Sequence, residues 1–104
     1  MTDVVEITSA DHLANLVENN ETVVIDFWAD WCGPCKMLKP NYHQAASRSD
    51  AVFTSVDVEA LPELTSQFRV MGVPTVLVFK NGELKETPVR ARNVDGIVAE
   101  VESL

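Results

Sequence analysis

The sequence predicts one α/β domain, with helices covering both faces of a mixed sheet. Three observations carry that expectation. Strand-like and helix-like stretches alternate along the chain, as βαβ units do. One stretch, Thr22 to Ala29 (TVVIDFWA), is apolar almost throughout, as a strand covered on both faces must be. The pair Asn81-Gly82, between two further strand-like runs, marks a hairpin that adds antiparallel strands at one side. At 104 residues, 46% of them hydrophobic, the chain has material for one core, so residues 1–104 are expected to form one domain.

Each element has a local reason. Val4 to Ile7 (VVEI) is short and β-branched, which suits a strand. In SADHLANLVENN, Ser9 or Asp11 offers an N-cap, and Leu13, Leu16 and Val17 follow at helical spacing. Thr22 to Ala29 is the second strand. After Pro34 a helix runs to about Ser47 with Leu38, Tyr42, Ala45 and Ala46 on one stripe. Pro40 lies inside it and is expected to kink the helix without ending it, since the stripe resumes beyond. Ala51 to Val58 is the third strand, and LPELTSQF a short helix with Pro62 in its first turn. Thr75 to Phe79 and Glu83 to Val89 flank the hairpin turn. The terminal NVDGIVAEVESL carries Val94, Ile97, Val98, Val101 and Leu104 at helical spacing, with Gly96 weakening the helix slightly.

Charge narrows the function. Sixteen acidic residues against eight basic ones give a formal net charge of −8, which repels nucleic acid and reads as a solubilising surface. MTDVVEITSA has no basic start and no long apolar run, and no stretch approaches the about eighteen consecutive apolar residues of a membrane span. The expectation is a soluble cytoplasmic monomer, without membrane or nucleic-acid partners.

The chemistry concentrates in WADWCGPCK, residues 28 to 36, which holds both cysteines. In a reducing compartment a lone CxxC is more often catalytic or metal-binding than structural. A structural disulfide here closes a very short loop and constrains the unfolded chain little. A zinc site needs two more ligands, and His12 and His43 read as solvated polar-face residues with no second CxxC or HxxxH beside them. A redox pair fits better. Cys32 falls where a strand ends and a helix begins, so unpaired N–H groups and the helix dipole favour its thiolate, with Lys36 adding positive charge. Cys35, inside the first turn, is expected to be the more buried of the two. Cys32 is then the attacking sulfur and Cys35 the resolving one. Pro34 stiffens the first turn, and Gly33 leaves room for a partner's backbone.

WCGPCK, together with VVIDFWADWCGPCKMLKP, VDV, VMGVPTVLVFKNGE and the terminal helix, resembles the thioredoxin family along nearly the whole chain. The resemblance implies the thioredoxin fold, a central five-stranded mixed sheet flanked by four helices, and reversible dithiol–disulfide exchange with protein substrates. It implies a thiol–disulfide oxidoreductase that reduces protein disulfides and is recharged by an NADPH-dependent flavoprotein, thioredoxin reductase. The chain itself would bind no cofactor beyond its redox-active Cys32–Cys35 disulfide. Asp26 interrupts the apolar strand and is expected to be buried with a raised pKa; in the family the matching carboxyl lies beneath the resolving cysteine and exchanges protons with it. Pro74 matches a proline that follows a cis bond and packs against the cysteines. Gly72, Val73 and Pro74 line the substrate groove, Trp31 forms its apolar rim, and Trp28 packs beside the site.

Two departures from the family pattern bear on function. Ser55 stands in the third strand where the family usually has a lysine near the buried aspartate. Losing that cation is expected to push Asp26 higher still. In TPVRARN, Arg90 precedes Ala91 where the family usually has a glycine, with Arg92 two positions on. Arg90 either selects substrates with acidic residues beside their disulfide or bends away into solvent. Two rivals remain at the level of sequence: an oxidant or isomerase on the same fold, which the Gly-Pro dipeptide disfavours, and a binding module or scaffold of narrow partner choice.

Overall fold

The computed structural model describes residues 3–104; the first two positions of the expected 1–104 domain lie outside the described residues. Nine elements follow in the expected order: β1 (Val5–Glu6), α1 (Ala10–Asn19), β2 (Thr22–Trp28), α2 (Gly33–Ser47), β3 (Val52–Asp57), α3 (Pro62–Gln67), β4 (Thr75–Lys80), β5 (Glu83–Leu84) and α4 (Val94–Ser103). The five strands form one sheet in the order β1-β3-β2-β4-β5. β1 and β2 both run parallel to β3, while β4 is antiparallel to β2 and β5 to β4. The two crossovers are helical, and the antiparallel edge comes from the hairpin, as the alternation implies.

β2 is central, and its side chains alternate between two cores. Val24 joins Phe53, Val76 and Val78 against Leu38, Tyr42, Ala45 and Ala46 of α2 and Ile97 and Val101 of α4. Val23, Ile25 and Phe27 face the other way, onto Leu13 of α1 and Leu64 of α3. Asp26 has the parity of Val24 and so points toward the α2 side. Both faces being covered explains why β2 reads as one apolar run rather than an alternating pattern.

Three local expectations are refined, and one, the reach of α2, is met. Ser9, not Asp11, caps α1, its hydroxyl accepting from the His12 amide at 3.0 Å. His12 is half-buried rather than solvated, because its Nδ1 accepts from the Thr8 amide at 3.0 Å. α2 continues through Pro40 to Ser47. The last strand is much shorter than Glu83 to Val89. After Leu84, Lys85 donates to the Val78 carbonyl at 2.8 Å, the chain then leaves the ladder, and Val89 alone returns to Val76 at 2.8 Å. Pro88 has no amide to give the ladder, and an edge strand has no second neighbour to hold it. The turn before it is as the dipeptide demands: Asn81 and Gly82 both adopt positive φ, 54° and 81°, the combination of a type I′ hairpin turn.

Candidate active site

The site forms where β2 ends and α2 begins. Cys32 is the N-cap of α2, in extended conformation (φ −91°, ψ 108°), and its Sγ accepts from the Cys35 amide at 3.1 Å. A sulfur thus takes the place of the serine or aspartate oxygen that usually satisfies a first-turn amide. That amide and the dipole of a 15-residue helix both favour negative charge on Cys32. Cys32 and Cys35 are joined as a disulfide, with Cα atoms 5.3 Å apart.

The expected difference in burial does not appear. Cys32 is 4% exposed and Cys35 5%. The bond draws both sulfurs into one small cluster with Ala29, under Trp28, Val58 and Val73. What separates the two is direction. Cys35, with Asp26, Trp28, Lys36 and Ser55, lines a cavity of about 400 Å³ on the α2 side of the sheet.

Asp26 is 5% exposed and its Oδ1 has no hydrogen-bond partner. Burial penalises its charged form and raises its pKa from 3.8 to about 7, against the opposing pull of the Arg92 guanidinium. Ser55 is its register partner on β3. The nearby positive charge therefore comes from the loop before α4, and nothing in the sequence linked residue 92 to residue 26.

The rim is exposed. Trp31 is 67% exposed, and its indole N–H donates to Glu59 Oε2 at 2.9 Å, a partner 28 residues away that no local pattern announces. Trp28 is half-buried beside the cysteines, as expected. Val73–Pro74 is a cis peptide bond, as the resemblance implied. Val73 packs against the cysteine cluster, and Pro74 beside it is half-buried. Gly33 and Gly72 are exposed, and a Cβ built at either meets nothing within 4 Å. Met37 of α2 and Met71, the residue before Gly72, stand out at 80% and 97% exposure.

The loop carrying Arg90 and Ala91 is clamped from behind. Glu100 of α4 accepts from the Arg90 amide at 2.8 Å and from the Ala91 amide at 3.0 Å, one carboxylate oxygen to each. The Arg90 side chain is exposed. Replacing Glu100 by alanine leaves two amides without acceptors, an expected loss of about 1–3 kcal/mol. Hydrogen exchange at the amides of residues 90 and 91 is expected to speed up selectively, and a uniform change across α4 would contradict the clamp.

Among the described residues no group of three His, Cys, Asp or Glu side chains is placed to hold a metal ion, and no helix is long and apolar enough to cross a membrane. The family model for Thioredoxin matches residues 3–103. The chain belongs to the thioredoxin family. It is 46% identical over 81 residues to a putative thioredoxin 2 of Streptomyces coelicolor, covering 77% of this chain and 60% of that one. It is 32% identical over 99 residues to a thioredoxin of Mycobacterium tuberculosis, covering 93% and 85%. A bifunctional thioredoxin reductase/thioredoxin of Mycobacterium leprae is 38% identical over 81 residues, 76% of this chain and 18% of that protein. Among solved structures, a point mutant of the thioredoxin from Halobacterium salinarum superposes with a TM-score of 0.89 at 34% identity, over 97% of this chain and 89% of that one. Family, five-stranded fold and a cysteine pair at bonding distance together support thiol–disulfide oxidoreductase chemistry in this thioredoxin-family chain.

Proposed function

We propose that this chain is a protein-disulfide reductase and dithiol electron donor, with Cys32 as nucleophile and Cys35 as resolving thiol. The observation that carries the assignment is the Cys32 sulfur sitting as N-cap of α2, accepting the Cys35 amide. A thiolate formed there keeps that hydrogen bond and the helix field.

The reduced Cys32 thiolate attacks one sulfur of a substrate disulfide. A mixed disulfide forms, and the first substrate sulfur leaves as a thiolate. Cys35 then gives its proton to the Asp26 carboxylate and attacks the Cys32 sulfur. The second substrate sulfur departs with the electron pair, leaving the Cys32–Cys35 disulfide. Asp26 suits this part because burial has brought its pKa close to neutrality, where a group both accepts and releases a proton readily. An extended substrate segment lies along Gly72, Val73 and Pro74, against the apolar Trp31. Gly33 and Ala91 give it close approach, and Arg90 lies at the edge. Pro34 and Lys36 shape and charge the first turn of α2, and Trp28 backs the pair.

Two electrons restore the dithiol. An NADPH-dependent flavoprotein reductase is the natural donor in this reading, and the mycobacterial relative that carries reductase and thioredoxin in one protein fits it. No cofactor is assigned to the chain itself, and the reading places it in the cytoplasm as a monomer.

Insulin reduction driven by dithiothreitol tests the proposal. The wild-type chain is expected to precipitate insulin chains rapidly, and Cys32→Ser to fall to the rate of dithiothreitol alone. Equal, slow rates for both would show a site closed to general protein disulfides.

A further inference from the structure

Parallel pairing puts three polar residues in one line across the sheet. Glu6 of β1 is the register partner of Ser55 in β3, and Ser55 is the partner of Asp26 in β2. Register partners on adjacent strands project from the same face, and strands lie about 4.8 Å apart, so the line spans about 10 Å. Exposure falls along it. Glu6 is exposed at the sheet's edge, Ser55 half-buried, and Asp26 buried. All three line the cavity of about 400 Å³ that also reaches Cys35.

A proton passed from Cys35 to Asp26 must reach solvent before the next turnover. Asp26 is only 5% exposed, yet its Oδ1 is unpartnered, and the cavity beside it carries several polar side chains and is roomy enough to admit water. Resting on the proton-partner role of Asp26 set out above, we propose that the Glu6–Ser55–Asp26 row is the proton exit of the redox centre. The Asp26 carboxyl gives its proton to the Ser55 hydroxyl oxygen, directly or through a cavity water. The Ser55 hydroxyl proton passes outward to the Glu6 carboxylate, which sheds it to bulk solvent. Within the relay only O–H bonds form and break, and its net change is one proton moved from the Asp26 carboxyl to water.

The other charged groups near Asp26 are less suited to the task. Lys36 and Lys39 line the cavity from α2, and an ammonium group donates hydrogen bonds but has no lone pair with which to take a proton. Tyr42 also borders it, but its hydroxyl is committed to the Thr54 carbonyl at 2.6 Å. Arg92 acts from the loop before α4 and only biases the charge on Asp26. His43 and Asp30 are the remaining acceptors on the cavity wall, and neither stands in the strand row.

The test follows the Asp26 carboxyl carbon by ¹³C NMR in the reduced protein, where the line shape near its titration midpoint reports how fast the proton exchanges. Ser55→Ala and Glu6→Gln are each expected to slow exchange several-fold and broaden the signal at the midpoint. Ser55→Thr, which restores a hydroxyl, should recover the wild-type line shape, and so should added imidazole, a small diffusible proton carrier. His43→Gln and Asp30→Asn should leave it alone. Unchanged line shapes in both Ser55→Ala and Glu6→Gln, or an equal slowing in His43→Gln, would overturn the relay. The underlying reading fails by a different sign: no inflection in the Cys35 Cβ titration matching that of Asp26, whatever the line shape.

Discussion

Asp26→Asn is expected to make the protein markedly more stable above neutral pH and no more stable in acid. The folded chain keeps the Asp26 proton up to about pH 7, whereas in the unfolded chain the group loses it near 3.8. Between those values the native state binds one proton more than the unfolded state, so stability falls as pH rises. Each pH unit costs up to about 1.4 kcal/mol, and the full window comes to roughly 4 kcal/mol. Below the unfolded value both states are protonated and the penalty vanishes; above the folded value it is fully present. Asparagine copies the protonated shape without ever acquiring the charge. Its own amide still lacks a partner in the buried site, so the observed gain at alkaline pH should be nearer about 3 kcal/mol than about 4. Urea unfolding midpoints measured across the window check this. A wild-type-to-variant gap that is constant with pH would show that Asp26 is not the titrating group.

The same substitution should cost activity. Without a carboxylate beneath it, Cys35 must lose its proton to water, and release of the mixed disulfide slows most at the acidic end of the working range. A buried carboxyl that destabilises the fold at neutral pH and accelerates exchange is an instance of stability given up at a functional site. Tyr42 feels the same charge: burial first, then ionised Asp26, drives its phenol well above its ordinary value.

Much of this centre is legible in the chain itself, and the parts that are not share a cause. Cys32 and Cys35 announce their place because the apolar run of β2 stops just before them and Pro34 opens a helix just after. The stripe Leu38, Tyr42, Ala45 and Ala46 is entirely buried, as its spacing requires. Such signals are local. By contrast, Glu100 reaches back nine and ten residues to two amides, Glu59 reaches Trp31 across 28, and Arg92 acts on Asp26 through space. The Glu6–Ser55–Asp26 row needs the register of three strands, which alternation alone does not supply. The near-equal burial of the two cysteines reflects their bond, which helix position by itself does not reveal. Gly96 misled in another way: helix propensity counts its cost and is blind to what lies against it.

Gly96→Ala is the second large effect expected, and it runs against propensity. Alanine in place of glycine inside a helix gains about 1 kcal/mol. Here the new Cβ would sit 2.8 Å from the Ala91 Cβ and 2.9 Å from Asn93 Oδ1. Ala91 has no rotamer with which to retreat, so its backbone must move. Asn93 Oδ1 is the N-cap of α4, accepting from the Gly96 amide at 2.7 Å, so swinging it aside forfeits the cap. Overpacking costs about 1–3 kcal/mol and a lost cap about 1. The net expectation is a destabilisation of about 1–3 kcal/mol. The displaced loop carries Arg90 at the rim and Arg92 beside Asp26, so turnover should drop and the Asp26 titration should drift upward as the guanidinium withdraws. Ala91→Gly on the same background removes the closest contact and should recover a large part of both losses. If the two substitutions simply add, the tight packing of Ala91 on α4 is not what holds the loop in place.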